Sequence, residues 1–387
     1  MSSDDRPPTM AGDRLAILAG ARSATRARLA RLLRPSGSAD SRTLGPYLAL
    51  VLVVGILPLV FSSPYALSTL TLIGIYTIVT LGLCLLTGYA GQASLGQAGF
   101  LALGAYGSAI LTARLALSPL LALLMSAGAT ALVAYLVGIP ILRLHGHYLA
   151  MGTLAMGVIV NISLREGKVL TGGPSGLAGI PHLSLAGVVV KGDVAYFYVV
   201  WAVVVVALLL ALNVVSSRFG RALRAIRSSE AAAESLGVDI GGTKLAVFVL
   251  AAIYASVAGS LYAHYMTYIS PSAFDLDTSV RLVLMAAVGG LASIWGAPFG
   301  TATVVLLALV LREITSAIAP NAGGEYQSVA YGVLLVAIMI FLPEGVTVSG
   351  LQWWRRADLL RRLRRRLSAS RSAENRTTDF PSGGRGG

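Results

Sequence analysis

Charge is scarce in this sequence and cysteine almost absent. Only 12% of the residues are charged against 56% hydrophobic, and the single cysteine, Cys84, lies inside an apolar run. One thiol excludes an internal disulfide framework and a cysteine metal site, which leaves Cys84 as a small packing residue. Acidic residues nearly vanish from the apolar runs, where a carrier or channel coupled to an ion gradient would need them. His145 and His147 stand two apart, so on a helix they point in different directions and make a poor metal pair. His182 and His264 are isolated, and packing or interfacial roles suffice for them. The His/Asp/Glu constellation expected of a membrane-bound enzyme is not assembled, and the solvated charges Glu166, Asp193, Asp275 and Asp277 read as loop residues. The first 45 residues hold no apolar core followed by a cleavage site, so no cleavable signal peptide is expected.

What the chain does have is hydrophobic length. Mean hydropathy is +0.76, and several runs reach the roughly 20 residues that cross a hydrocarbon core. Candidate spans are Pro46–Phe61, Tyr65–Thr87, Phe100–Ala113, Pro119–Leu142, Tyr148–Ile162, Val194–Val215, Thr243–Met266, Leu282–Ser293, Ala297–Ala317 and Tyr326–Leu342. They predict an all-α polytopic membrane protein with about 8–10 transmembrane helices. Phe100–Ala113, Tyr148–Ile162 and Leu282–Ser293 are short, and a broken or re-entrant course is open to them.

The net charge of +13 gathers in three places: Arg22–Arg34, the Ser216–Gly237 stretch, and Arg355–Arg366. Beside membrane spans the positive-inside rule reads all three as cytoplasmic, in preference to nucleic-acid binding. Starting inside, the crossings return the chain to the cytoplasm at Ser216 and again at the C-terminus. On that count Ser163–Asp193 and Thr267–Arg281 face outside. The domain reading is a basic cytoplasmic tail over 1–45, a transmembrane domain over 46–345 with a cytoplasmic loop at 216–242, and a basic cytoplasmic tail over 346–387. The polar ends Ser2–Pro8 and Ser368–Gly387 read as disordered.

The Ser216–Gly237 loop is patterned. Arg218, Arg221, Arg224 and Arg227 recur every third residue, while Phe219, Leu223 and Ile226 make one narrow apolar stripe. Ser229 offers an N-cap, Glu230 suits a first turn, and Gly237 suits the position just past a helix end. Two short helices outside the bilayer are predicted, with a solvated basic loop as the plainer reading.

Glycine also recurs in pattern. Gly91-Gln92-Ala93-Ser94-Leu95-Gly96-Gln97-Ala98-Gly99-Phe100 and Gly290-Leu291-Ala292-Ser293-Ile294-Trp295-Gly296-Ala297-Pro298-Phe299 both fit G-x-A-S-[LI]-x-x-A-x-F. Repeated, glycine-interrupted segments point to a substrate pathway in transporters, while close helix packing and chance likeness compete with that reading. Gly237–Lys244 approaches a nucleotide-binding loop but places Thr243 where the lysine must stand. The chain therefore carries no Walker A site, and Lys244 reads as the edge of the inner membrane face.

Taken together, these segments resemble the branched-chain amino-acid ABC importer permeases, LivM-type subunit, over roughly Leu70 to Gly345. The residues that carry the likeness are Thr87–Phe100, Leu144–Ala155, Leu170–Leu177 with Gly179-Ile180-Pro181, Arg221–Arg227 followed by Glu230-Ala231-Ala232, Tyr268–Pro271 and Phe341–Gly345. Ser175, where asparagine is common, and Met151-Gly152, where bulkier residues are usual, depart from the pattern.

The resemblance implies an ABC importer permease fold in a bacterial cytoplasmic membrane. It implies a second permease subunit, two cytoplasmic ATPases that use ATP, and an external solute-binding protein, with no cofactor bound by this chain. Arg221, Arg224, Ile226, Glu230, Ala231, Ala232 and Gly237 would form the ATPase-coupling loop. The cargo would be leucine, isoleucine and valine, with other amino acids, urea or short amides as the alternative. Gly91, Gln92, Ser94, Gly96, Gln97 and Thr153 are the candidates for lining the path, although tight packing accounts for each almost equally well.

Overall fold

In a computed structural model the protein is described over residues 50, 52–58, 63–185, 188–190, 192–318 and 332. Both basic tails, nearly all of the run Tyr326–Leu342 and part of Pro46–Phe61 lie outside these residues.

Serine and proline start the first long helices. Ser63 caps α1, Pro64–Leu83, with its hydroxyl facing the amide of Ala66, and Pro64 occupies a first-turn position that needs no donor. α1 runs on as a π-helical turn, Cys84–Tyr89. Then follow α2 (Gln97–Leu115), α3 (Pro119–Ile141), α4 (His147–Glu166), α5 (Asp193–Ser216), α6 (Arg218–Ser228), α7 (Glu230–Ser235), α8 (Ile240–Met266), α9 (Leu276–Gly289) and α10 (Gly296–Ile318). Among the described residues, seven helices are long and apolar enough to cross a membrane. The chain is an all-α polytopic membrane protein, as the composition predicts.

α8 sits at the centre, against α2, α3 and α1. Lipid tails are as apolar as leucine, so helices in a membrane associate through close backbone approach and hydrogen bonds. The α2–α8 seam has both. A Cβ at Gly104 would lie 2.2 Å from the Ser256 carbonyl oxygen, and one at Gly259 would lie 2.0 Å from that of Leu101. Phe100 meets Phe248 edge-on at 5.4 Å. Across the seam Ser260 of α8 donates to Ser108 of α2 at 2.8 Å, while Thr130 of α3 donates to Ser256 at 3.1 Å and the Tyr254 hydroxyl donates to the Ala207 carbonyl of α5 at 2.9 Å. Outer helices α3 and α4 expose Leu124, Leu132, Met151 and Ile159, as surfaces facing lipid or another subunit do.

Two opposite ends follow from the way α4 and α8 run. At one end sit α6, α7 and the starts of α4 and α8. At the other, β1 (Leu177–Ala178) pairs antiparallel with β4 (Tyr268–Ile269), joining the loop after α4 to the turn after α8. β2 (Ser184–Leu185) and β3 (Val188–Val189) form a second small ribbon. His264 fastens this end. Its Nδ1 lies 2.8 Å from the Pro181 carbonyl and its Nε2 lies 2.9 Å from the Ser108 hydroxyl, so it is a buried packing histidine.

The short runs Phe100–Ala113 and Tyr148–Ile162 extend into the continuous helices α2 and α4, while a third run differs more. The run Leu282–Ser293 is helical only to Gly289 and begins earlier, at Leu276. Asp275 starts it by accepting from the amide of Thr278, and Gly290, at φ 96°, stops it. Polar Asp277, Thr278 and Arg281 in its first turns hide the start from hydropathy. Residues 276–281, expected in an outer loop, are therefore helical. At 14 residues α9 is about 21 Å long, short of the roughly 30 Å hydrocarbon core.

The internal repeat is also a structural repeat. In each copy a helix stops at a positive-φ glycine, Gly91 (φ 71°) or Gly290 (φ 96°), and the next helix begins within six residues. The two breaks touch, since a Cβ at Gly88 would lie 1.7 Å from the Leu291 carbonyl oxygen.

Gly104→Ala should push α2 from α8 and destabilise the protein by about 1–3 kcal/mol. Gly128→Ala, where nothing lies within 4 Å of the added carbon, should be neutral or slightly stabilising. Thermal unfolding of the two purified variants in detergent, followed by intrinsic fluorescence, checks the pair.

Candidate functional site

Each turn at the α6–α7 end is built from a polar cap. The Ser217 hydroxyl accepts from the Gly220 amide to begin α6, Ser229 accepts from Ala232 to begin α7, and Asp239 accepts from Gly242 to begin α8. Gly237, at φ 79°, ends α7. Its amide donates to Glu234 and that of Val238 donates to Ala233, the paired bonds of a Schellman turn. The two short helices expected from the sequence are present.

α6 buries Gly220, Leu223 and Ile226 and turns its arginines outward. Those arginines have structural partners. Arg224 donates to the Val215 carbonyl at 3.0 Å and Arg221 to the Ser216 carbonyl at 3.4 Å, covering the end of α5 where helix carbonyls lack partners and the dipole favours cations. Arg227 donates to the Gly88 carbonyl at the close of the π turn. α7 buries only Ala233 and leaves Ala231, Ala232 and Leu236 exposed, Leu236 at 80%. The result is a small, low-relief apolar tip on a capped helix pair, a shape suited to a cleft in another protein.

Glu230 points back toward the membrane domain and meets Lys244 at 2.8 Å. The Lys244 side chain is only 6% exposed and that of Glu230 44%, so the pair anchors α7 on the first turn of α8. Sequence reading placed Lys244 at the membrane face but missed this partnership, for which Asp239–Lys244 read as a loop gave no signal.

Four of the six path candidates, Gly91, Gln92, Ser94 and Gly96, lie on one short stretch, with Gln97 opening α2 and Thr153 on α4. Gly91–Gly96 has no regular structure and lies between the π turn and α2. Gly91 is exposed, with Cβ space bounded by the Arg227 side chain. Gln92, Ser94, Gly96, Gln97 and Thr153 are all buried. Thr153 accepts from the Leu95 amide at 3.0 Å and donates to the Ala150 carbonyl at 2.9 Å. A Cβ at Gly96 would lie 2.3 Å from the Thr153 carbonyl oxygen. The structure thus brings the candidates together around one clamped segment, with Gly91 and Gln92 on the wall of a cavity at the α6–α7 end.

With this geometry the sequence matches a family described as branched-chain amino acid transport system, permease component, over residues 65–342. The chain belongs to this family, as a LivM-type permease. It is 33% identical over 299 residues to the high-affinity branched-chain amino acid transport system permease protein LivM of Salmonella typhimurium strain LT2, covering 71% of this chain and 68% of that protein. The corresponding protein of Escherichia coli strain K12 matches with the same identity and coverage. The LivH permease protein of Salmonella typhimurium is 30% identical over 149 residues, covering 38% of this chain and 46% of its own. No solved structure matches. The matched span takes in α1 to α10 and leaves both basic tails outside.

In this permease Glu230→Ala should strip a buried ammonium of its partner, a loss of about 1–3 kcal/mol. Glu230→Gln combined with Lys244→Met should recover most of it. A double-mutant cycle on thermal stability in detergent measures the coupling. Gly237→Val, with nothing within 4 Å of its Cβ, meets backbone strain alone, about 1–2 kcal/mol.

Proposed function

We propose that this permease carries branched-chain amino acids into the cell as one of two membrane subunits of an ABC importer. Two ATPase subunits supply the energy from ATP, which this chain does not itself bind, and one of them docks on the α6–α7 tip. An external solute-binding protein delivers the amino acid at the β1–β4 end. The membrane is the bacterial cytoplasmic membrane, with both termini and the 216–242 loop on the cytoplasmic side. The observation that carries this reading is the capped α6–α7 pair, anchored by Glu230–Lys244 and exposing Ala231, Ala232 and Leu236. Family membership and the likeness to both LivM and LivH support the cargo and the paired permease.

Radiolabelled leucine uptake in cells lacking their own system, with the partner subunits supplied, tests the cargo. Leucine accumulation is expected, and carriage of urea or a short amide in its place would overturn the cargo assignment while keeping the family. In the same cells an impermeant thiol reagent added outside should label Ser175→Cys and miss Arg224→Cys. Gly237→Val should insert normally yet lose ATPase association or solute-stimulated hydrolysis. Normal ATPase binding and normal uptake in that variant would remove α7 from the coupling role.

A further inference from the structure

α4 lines two cavities with one stripe of side chains, spaced so that they share a helix face. Toward the β1–β4 end is a cavity of about 190 Å³, bounded by Leu95, Leu154, Val158 and Leu276 with Asn161 and Asp275 at its polar side. Toward the α6–α7 end is one of about 350 Å³, bounded by Gln92, Ala93, His145, Ala150, Glu230 and Lys244. Thr153 lies between them on α4, and the Gly91–Gly96 segment crosses there. Its Leu95 amide is bonded to the Thr153 hydroxyl, and Gly96 is pressed on the Thr153 carbonyl and on Gly157 one turn later.

The smaller cavity suits one kind of solute. Its walls are mostly apolar, with Phe274 beside the four aliphatic side chains and Ser279 as a further polar group, and its volume is several times the ~30 Å³ that a water molecule occupies in the liquid. Asp275 uses Oδ1 on the Thr278 amide and hydroxyl. Oδ2 takes no part in that cap and can accept from an ammonium.

Beside this cavity the crossing segment is held at a cost. The Ser94 hydroxyl and both amide atoms of Gln97 are buried without a hydrogen-bond partner among the described residues, each an energetic penalty that rearrangement could relieve. The segment is also tied to the α6–α7 end, because Arg227 donates to the Gly88 carbonyl and packs beside Gly91.

We propose that the smaller cavity holds the amino acid in transit, its branched side chain against Leu95, Leu154 and Val158 and its ammonium at Asp275, and that the Thr153-clamped Gly91–Gly96 segment is the barrier beneath it. This rests on the importer reading for the identity of the solute; the barrier itself does not. Movement of α6 reaches the barrier through Arg227, so the segment is the element that an ATPase would release.

The test uses the complete importer in proteoliposomes, with Cys84→Ala as background and single cysteines introduced as Val158→Cys or Ala150→Cys. The probe is a membrane-impermeant cationic methanethiosulfonate. At rest, Val158→Cys should react from the binding-protein side and Ala150→Cys only from the opposite side. Leucine with its binding protein should slow the Val158→Cys reaction several-fold. Adding Thr153→Val should open Ala150→Cys to the binding-protein side, and Thr153→Ser should leave it closed. Reaction of Ala150→Cys from both sides at rest would overturn the barrier, and a Val158→Cys rate indifferent to leucine would overturn the cavity assignment. Leucine uptake by the background protein is measured alongside. If it carries none, the cargo reading fails, and the sidedness pattern still decides the barrier.

Discussion

Inside a bilayer every backbone polar group needs a partner from the protein, so a chain can leave its helix only where other residues take over its hydrogen bonds. The Gly91–Gly96 break is where this constraint is met most conspicuously. Thr87 donates to the Gln92 carbonyl, Thr153 accepts from Leu95, Arg227 donates to the Gly88 carbonyl, and Ser279 accepts from Ala98. Those partners come from α1, α4, α6 and α9. The break therefore fixes how four helices sit, and it also joins the membrane domain to the basic loop. Removing any one partner would leave a backbone group unpaired in a place that water reaches poorly.

The α6–α7 end is closely tied to the helices on either side of it. Successive side-chain caps at Ser217, Ser229 and Asp239 leave little slack between α5 and α8, each cap being worth about 1 kcal/mol. Arginines that a sequence reader takes for membrane-surface charges turn out to clamp carbonyls at the ends of α5 and of the π turn. With Glu230 pinned to Lys244, a displacement of α7 has to carry the start of α8 with it. α8 is the helix on which α1, α2 and α3 pack, so the tip of the loop reaches the centre of the fold in a few rigid steps.

Much of this was legible in the sequence because it depends on local pattern. Long apolar runs predicted the crossing helices, and the Ser229–Gly237 spacing predicted a capped turn of helix closed by a positive-φ glycine. The G-x-A-S repeat pointed to two alike glycine-interrupted segments, with chance likeness as the competing reading, and in the structure both are helix breaks that touch. What stayed hidden depends on partners distant in sequence. Glu230 and Lys244 are 14 residues apart, and Arg227 and Gly88 are 139 apart; neither pairing leaves a mark on local composition. α9 was misplaced because its polar first turns read as loop. For Gln97 and Thr153 the sequence left lining and tight packing both open, and their burial follows from the packing of α4 and α2 around the break.

The central claim is that the Gly91–Gly96 segment moves relative to α4 when the importer turns over. Pulsed electron–electron resonance between spin labels at Ala93→Cys and Ala155→Cys, on the Cys84→Ala background in the complete importer, measures that separation directly. A second pair on α2 and α8, at Leu111→Cys and Tyr262→Cys, serves as a fixed reference. Trapping the ATPases with nucleotide should shift the Ala93–Ala155 distance and leave the reference distance in place. An unchanged Ala93–Ala155 distance in an importer shown to be trapped would contradict the account.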